Sequence, residues 1–120
     1  MARQDLNALT ISGHVHSEPE LHQFDDGDKA YTFVLAHTTD HHHSGHWELQ
    51  FYTVSIWAPF GKPFIDTVQI GQRIVVTGRL DSVYHETFTG YQPIVSIIAE
   101  RVITTNAPAQ DTSTTEPLFA

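Results

Sequence analysis

Cysteine is absent from this 120-residue chain. Disulfides, thiolate catalysis and cysteine-ligated zinc are therefore excluded, and stability has to come from the core or from self-association. Long apolar runs are missing too, so nothing is long enough to cross a bilayer as a helix. The opening stretch, Met1 to Asn7, lacks the basic-then-apolar layout of a secretory signal. A soluble, cytoplasmic protein is expected, with no membrane partner. Positive charge is scarce: 6 Lys and Arg stand against 14 Asp and Glu, a formal net charge of -8. Phosphate binders usually present a basic surface, so composition alone does not point to nucleic acid. The 9 histidines qualify that count, because protonating all of them moves -8 to +1 and imidazole titrates near physiological pH.

The length suits one compact domain. From Leu9 to Val15 apolar Leu9, Ile11 and Val15 alternate with polar residues, the period of a half-buried strand. Gly13 inside it marks a bulge or tight bend. Ser17 to Asp28 reads as a turn cluster, with Pro19 followed by Asp25, Asp26 and Gly27. A second strand, Ala30 to Ala36, leads into a polar, histidine-rich segment from His37 to Trp47 that reads as a long hairpin loop. The third strand, Leu49 to Trp57, separates Tyr52, Val54 and Ile56 on one face from Phe51, Thr53, Ser55 and Trp57 on the other. Phe60, Phe64 and Val68 recur at helical spacing, which predicts a short helix starting near Pro63 and closed by Gly71. A fourth strand runs through Ile74, Val76, Gly78 and Leu80 toward Tyr84. After a turn at Glu86 to Gly90, a fifth spans Ile94 to Ile103. Three strands, a short helix and two strands predict an all-β fold, the five-stranded Greek-key barrel of the OB type, over residues 1–103. Residues 104–120, rich in Thr, Ala, Pro, Gln and Asp, predict a disordered tail.

Several stretches carry a resemblance to a known family. Gly13 through Pro19, Glu20 and Leu21, then Phe33 to Ala36, Phe51 to Trp57, Val76 to Leu80 and Ile97 to Glu100 stand in an order and spacing similar to those of the bacterial single-stranded DNA-binding proteins. The likeness covers roughly residues 6 to 103. Where that family commonly has Arg or Lys, this chain has His14, His22, and Gln69 with Ile70. Its end, Glu116 to Ala120, only partly matches the family's acidic, Phe-terminated tail. The resemblance implies single-stranded DNA as partner, self-association as a homotetramer or a dimer, and recruitment of replication or repair proteins through the tail.

Sequence-tolerant binding of a single strand needs aromatic faces for bases and positive potential for the backbone. Phe51 and Trp57, about 20 Å apart at 3.3 Å per residue with small Thr53 and Ser55 between them, are the leading stacking candidates. The alternative is that both rings pack against a partner subunit or loop. Trp47, at the end of the histidine-rich loop, and Tyr84 with His85, on the last hairpin, are secondary candidates; Tyr84 could equally be a hairpin packing residue. Family position favours Lys29 and Arg79 as backbone contacts, with Arg3 on an N-terminal arm, against the reading that they are ordinary solvated charges. His41, His42, His43 and His46 invite a zinc reading. Adjacent residues on an extended strand would point to opposite sides, and although a flexible loop could still gather them, the segment reads as a solvated loop and no metal site is assigned. Asp25, Asp26 and Asp28 lack the rest of a calcium loop, and no glycine-rich phosphate loop is present. No catalytic residues and no cofactor are assigned, and the chain is not expected to be an enzyme. The rival function is an OB-fold protein-interaction module that has lost DNA binding, a reading the acidic charge favours and the Phe51 and Trp57 pair opposes.

Overall fold

Alternation of apolar and polar residues builds nearly all of the secondary structure. The computed structural model describes residues 4–41 and 46–105, with side chains described in these spans except at positions 40, 41, 46, 47 and 85. The chain runs β1 (Leu9–Val15), β2 (Glu20–Gln23), β3 (Lys29–His41), β4 (His46–Trp57), α1 (Ala58–Thr67), β5 (Arg73–Thr87) and β6 (Gly90–Thr104). The strands follow the order β1-β5-β6-β4-β3-β2, and an additional β1–β3 pairing closes β1, β3, β4, β6 and β5 into a barrel. Antiparallel ladders make up every pairing except β4 with β6, which run parallel where Val54 and Ser55 meet Ile97 and Ile98. This is the OB-type barrel with one short helix that the strand order predicts.

The inward row of each strand forms the core. Val15, Phe33, Leu35, Val54, Ile56, Ile74, Val76, Ile97 and Ala99 are buried together. Phe64 and Val68, from α1 and the residue after it, pack on that cluster, with the Phe64 ring 5.7 Å from that of Phe33. Two glycines permit the closure. At Gly13, β1 passes from pairing with β5 to pairing with β3, and a Cβ there would collide with the Ala36 carbonyl oxygen. At Gly78 the β5–β6 register shifts, and a Cβ would meet the Ile98 carbonyl. A side chain at either position would force backbone apart, so the bend inferred at Gly13 has a steric cause.

Four local expectations change. Within the segment read as turns, Glu20–Gln23 pairs with β3 as a short strand, and only Phe24 to Asp28 makes the turn. All four β2 residues are exposed, so burial leaves no alternating pattern to read. Most of the predicted long loop is ladder: pairing of β3 with β4 continues through His37↔Gln50 to His41↔His46. Polar residues serve there because the hairpin runs past the core. The helix begins at Ala58, with Pro59 in its first turn and Pro63 inside it. Packing of Phe64 outweighs the backbone hydrogen bond that Pro63 cannot make. Phe60, expected on the packing stripe, is 74% exposed. Finally, β6 starts at Gly90 rather than Ile94 and includes Thr104, and Thr105 donates its N–H to the Arg73 carbonyl at 3.0 Å. The remainder of the tail lies outside the described residues. No helix among the described residues is long and apolar enough to cross a membrane.

Candidate nucleic-acid interface

The outward row of β4 carries the candidate surface. Val54 and Ile56 are buried, which leaves Phe51, Thr53, Ser55 and Trp57 facing away from the core. Register sets small or medium side chains beside them on β3: Ala36 by Phe51, Val34 by Thr53, Thr32 by Ser55 and Ala30 by Trp57. A shallow floor results, with a ring at each end.

Neither ring stands alone. Phe51, 53% exposed, has the His16 ring tilted against it at 4.9 Å. His16 is held there because its backbone N–H donates to the Val34 carbonyl at 2.8 Å, and the Val34 N–H in turn donates to Ser17 Oγ at 2.9 Å. Trp57, 38% exposed, makes a T-shaped contact with the Phe24 ring at 5.7 Å. It also borders a shallow cleft lined by Gly27, Asp28, Lys29, Ala58, Pro59 and Phe60. Each supporting ring buttresses its neighbour, and both Phe51 and Trp57 remain partly exposed, an arrangement that suits base stacking. The Phe24 support comes from the turn between β2 and β3, where no periodicity exposes it in the sequence. His14 and His16 could have been found from β1, since they follow Thr10 and Ser12 on its polar face.

The cations divide by position. Lys29 lines the cleft beside Trp57. Arg79 lies opposite Ile98, which is level with Ser55. It therefore shares the outward side at two strand spacings, about 10 Å, from the β4 row. Glu100, left over by the register shift, lies 3.8 Å from the Arg79 guanidinium and partly offsets its charge. Tyr84 is not brought to this row. It lies opposite Pro93 far out on the β5–β6 hairpin and is 75% exposed, so it is not a packing residue within the chain either. Val83, Phe88, Tyr91, Ile94 and Val95 are exposed on the same hairpin. The backbone at position 47 pairs with Asp40 and that at position 85 with Gln92. The side chains of Trp47 and His85, and all of Arg3, His42 and His43, lie outside the described residues. Among the described residues no group of three or more His, Cys, Asp or Glu could hold a metal ion.

The barrel and strand order match known proteins. A family model described as the single-strand binding protein family covers residues 6–104. The chain belongs to that family. Among curated members, it is 30% identical over 95 residues to a single-stranded DNA-binding protein of Corynebacterium glutamicum, covering 75% of this chain and 42% of the relative. A protein of the same description from Paenarthrobacter aurescens is 31% identical over 87 residues, covering 68% and 51% respectively. The chain thus matches about half the length of these family members, or less. Among solved structures, a Plasmodium falciparum SSB in complex with ssDNA aligns with a TM-score of 0.74 at 23% identity, over 88% of this chain and 100% of that one. This likeness supports the family's barrel fold.

Proposed function

We propose that the chain binds single-stranded DNA without strong sequence preference, through base stacking on Phe51 and Trp57 and backbone contacts from Lys29 and Arg79, in replication, recombination or repair. The observation that carries this reading is the pair of half-exposed rings, each braced by a second ring, at the two ends of a floor of small residues. A base sliding onto either ring meets a face already held in position, so little ordering entropy is lost. Trp47, Tyr84, His85 and Arg3 extend the path as secondary contacts. The protein acts by binding rather than by catalysis, in the cytoplasm, as a homotetramer or a dimer. Residues up to 105 form the binding domain, since Thr104 and Thr105 belong to its sheet edge, and 106–120 serve as a tail that engages replication or repair proteins.

One observation favours the rival protein-interaction module: the net charge is -8, and one of the outward-facing cations, Arg79, is shared with Glu100. Titration of the chain with fluorescently labelled oligo-dT, followed by anisotropy, separates the two. Saturable binding that weakens with salt supports the DNA reading. No binding at low salt supports the interaction module.

A further inference from the structure

At the Phe51 end of the floor, register brings three basic side chains onto one corner of the barrel. Arg73 is opposite His14 across the β1–β5 ladder, His14 is opposite Ala36 across β1–β3, and Ala36 is opposite Phe51 across β3–β4. Arg73 and His14 are one strand spacing apart, about 5 Å, and His14 and Phe51 two, about 10 Å. His16 fills the gap, its ring centroid 6.5 Å from that of His14 and 4.9 Å from that of Phe51. Ala36 is what allows this: a larger residue between them would separate the rings.

We propose that His14, His16 and Arg73 form a phosphate subsite beside Phe51. A backbone phosphodiester of the strand docks there while its base stacks on Phe51, and the His14 imidazole takes up a proton as it does so. The inference rests on the single-strand reading above and adds to it a specific anion site whose strength depends on pH.

The corner is arranged for an anion that the free protein does not supply. β5 contributes Arg73, and the segment past β1 contributes His16. Facing them, β3 presents uncharged Ala36 and β4 uncharged Phe51. His37 points to the other side, its Nδ1 2.8 Å from the Ser12 carbonyl oxygen and its ring against Tyr52. Glu20, next along that edge, lies 3.9 Å from His22, and Glu18 makes no ion pair among the described residues. Partial burial, then the nearby charges of Arg73 and His16, hold the His14 imidazole below its usual pKa. In the free chain His14 is therefore neutral near pH 7. A phosphate between these groups reverses the electrostatic cause and pulls the proton on, so the complex binds more protons than the free chain. By linkage, affinity rises as pH falls. Folding of the free chain responds in the opposite sense. The depressed value in the folded state means that stability present above the unfolded pKa is lost as pH falls through it.

The test uses the full chain and oligo-dT at pH 8 and pH 6 with ionic strength held constant. The wild type is expected to bind about five- to tenfold more tightly at pH 6, as an average uptake of about half a proton across this window gives. In the variant carrying both His14→Gln and His16→Gln the ratio of the two Kd values should fall close to one. Arg73→Gln should weaken binding at both pH values and make the salt slope shallower by about 0.7. Proton NMR of the wild-type imidazoles supplies a reading that does not depend on variants: the His14 titration should move to higher pH when oligo-dT is added. Binding whose pH dependence survives in the double variant, or a His14 titration that oligo-dT leaves in place, would overturn the subsite while leaving single-strand binding intact. Absence of oligo-dT binding at both pH values would overturn the parent reading and the subsite together.

Discussion

Replacing Trp57 by leucine should raise the Kd for oligo-dT by about 5- to 150-fold without unfolding the protein. Leucine keeps apolar bulk against Phe24 and the start of α1 but has no π face. Trp57 is 38% exposed, and it meets the Phe24 ring in a T-shaped contact at 5.7 Å. One lost stack costs about 1–3 kcal/mol, which is that range in Kd. On the folding side, the edge-on aromatic pair contributes about 0.5–1.5 kcal/mol beyond area burial. Loss of that amount is tolerable against a typical stability of about 5–15 kcal/mol. Phe51→Leu should behave alike. Because the two rings are about 20 Å apart and share no partner, their effects should add, so the double variant loses about 2–6 kcal/mol. Anisotropy of labelled oligo-dT is the suitable assay, since removing Trp57 also removes a fluorophore. A Trp57→Leu protein with unchanged melting temperature and a Kd within about twofold of wild type would refute stacking on this face.

Glu100→Gln should free Arg79 and remove a nearby negative charge, tightening oligo-dT binding by up to about fivefold at low salt; no change would mean that Arg79 is off the path. The face presents Lys29, Arg73 and Arg79, so the slope of log K against log salt should be about -1.5 to -2 at pH 8, and a much steeper slope would require cations elsewhere. Gly13→Ala should cost about 1–3 kcal/mol, because a Cβ there collides with the Ala36 carbonyl oxygen, and an unchanged thermal midpoint would show that β1 can shift to accept it. Removing residues 106–120 should leave the melting temperature and the oligomeric state nearly unchanged, because that composition lacks core-forming residues; a loss of several degrees would show that the tail is docked.

Where a face is buried on one side only, local alternation records it. The division of β4 into Val54 and Ile56 against Phe51 and Trp57 was therefore legible, as were the bend at Gly13 and the order of strands that points to an OB barrel. Signals of this kind act between residues two apart in the chain. They weaken where both sides are exposed: β2 is exposed throughout, and the outer β3–β4 ladder carries polar residues, so both read as loop. The helix start was misread because packing of Phe64 on Phe33 decides whether a proline is tolerated inside the helix, and that contact spans distant segments. The site divides in the same way. From sequence alone, composition and alternation establish a single acidic β-rich domain with two aromatic residues facing outward at the ends of one strand. Only the tertiary structure decides that Phe24 and His16 brace those rings, that Glu100 offsets Arg79, and that Arg73, His14 and His16 meet beside Phe51. Those neighbours are set by strand register and barrel closure, which join residues far apart in the chain and leave no periodic trace in it.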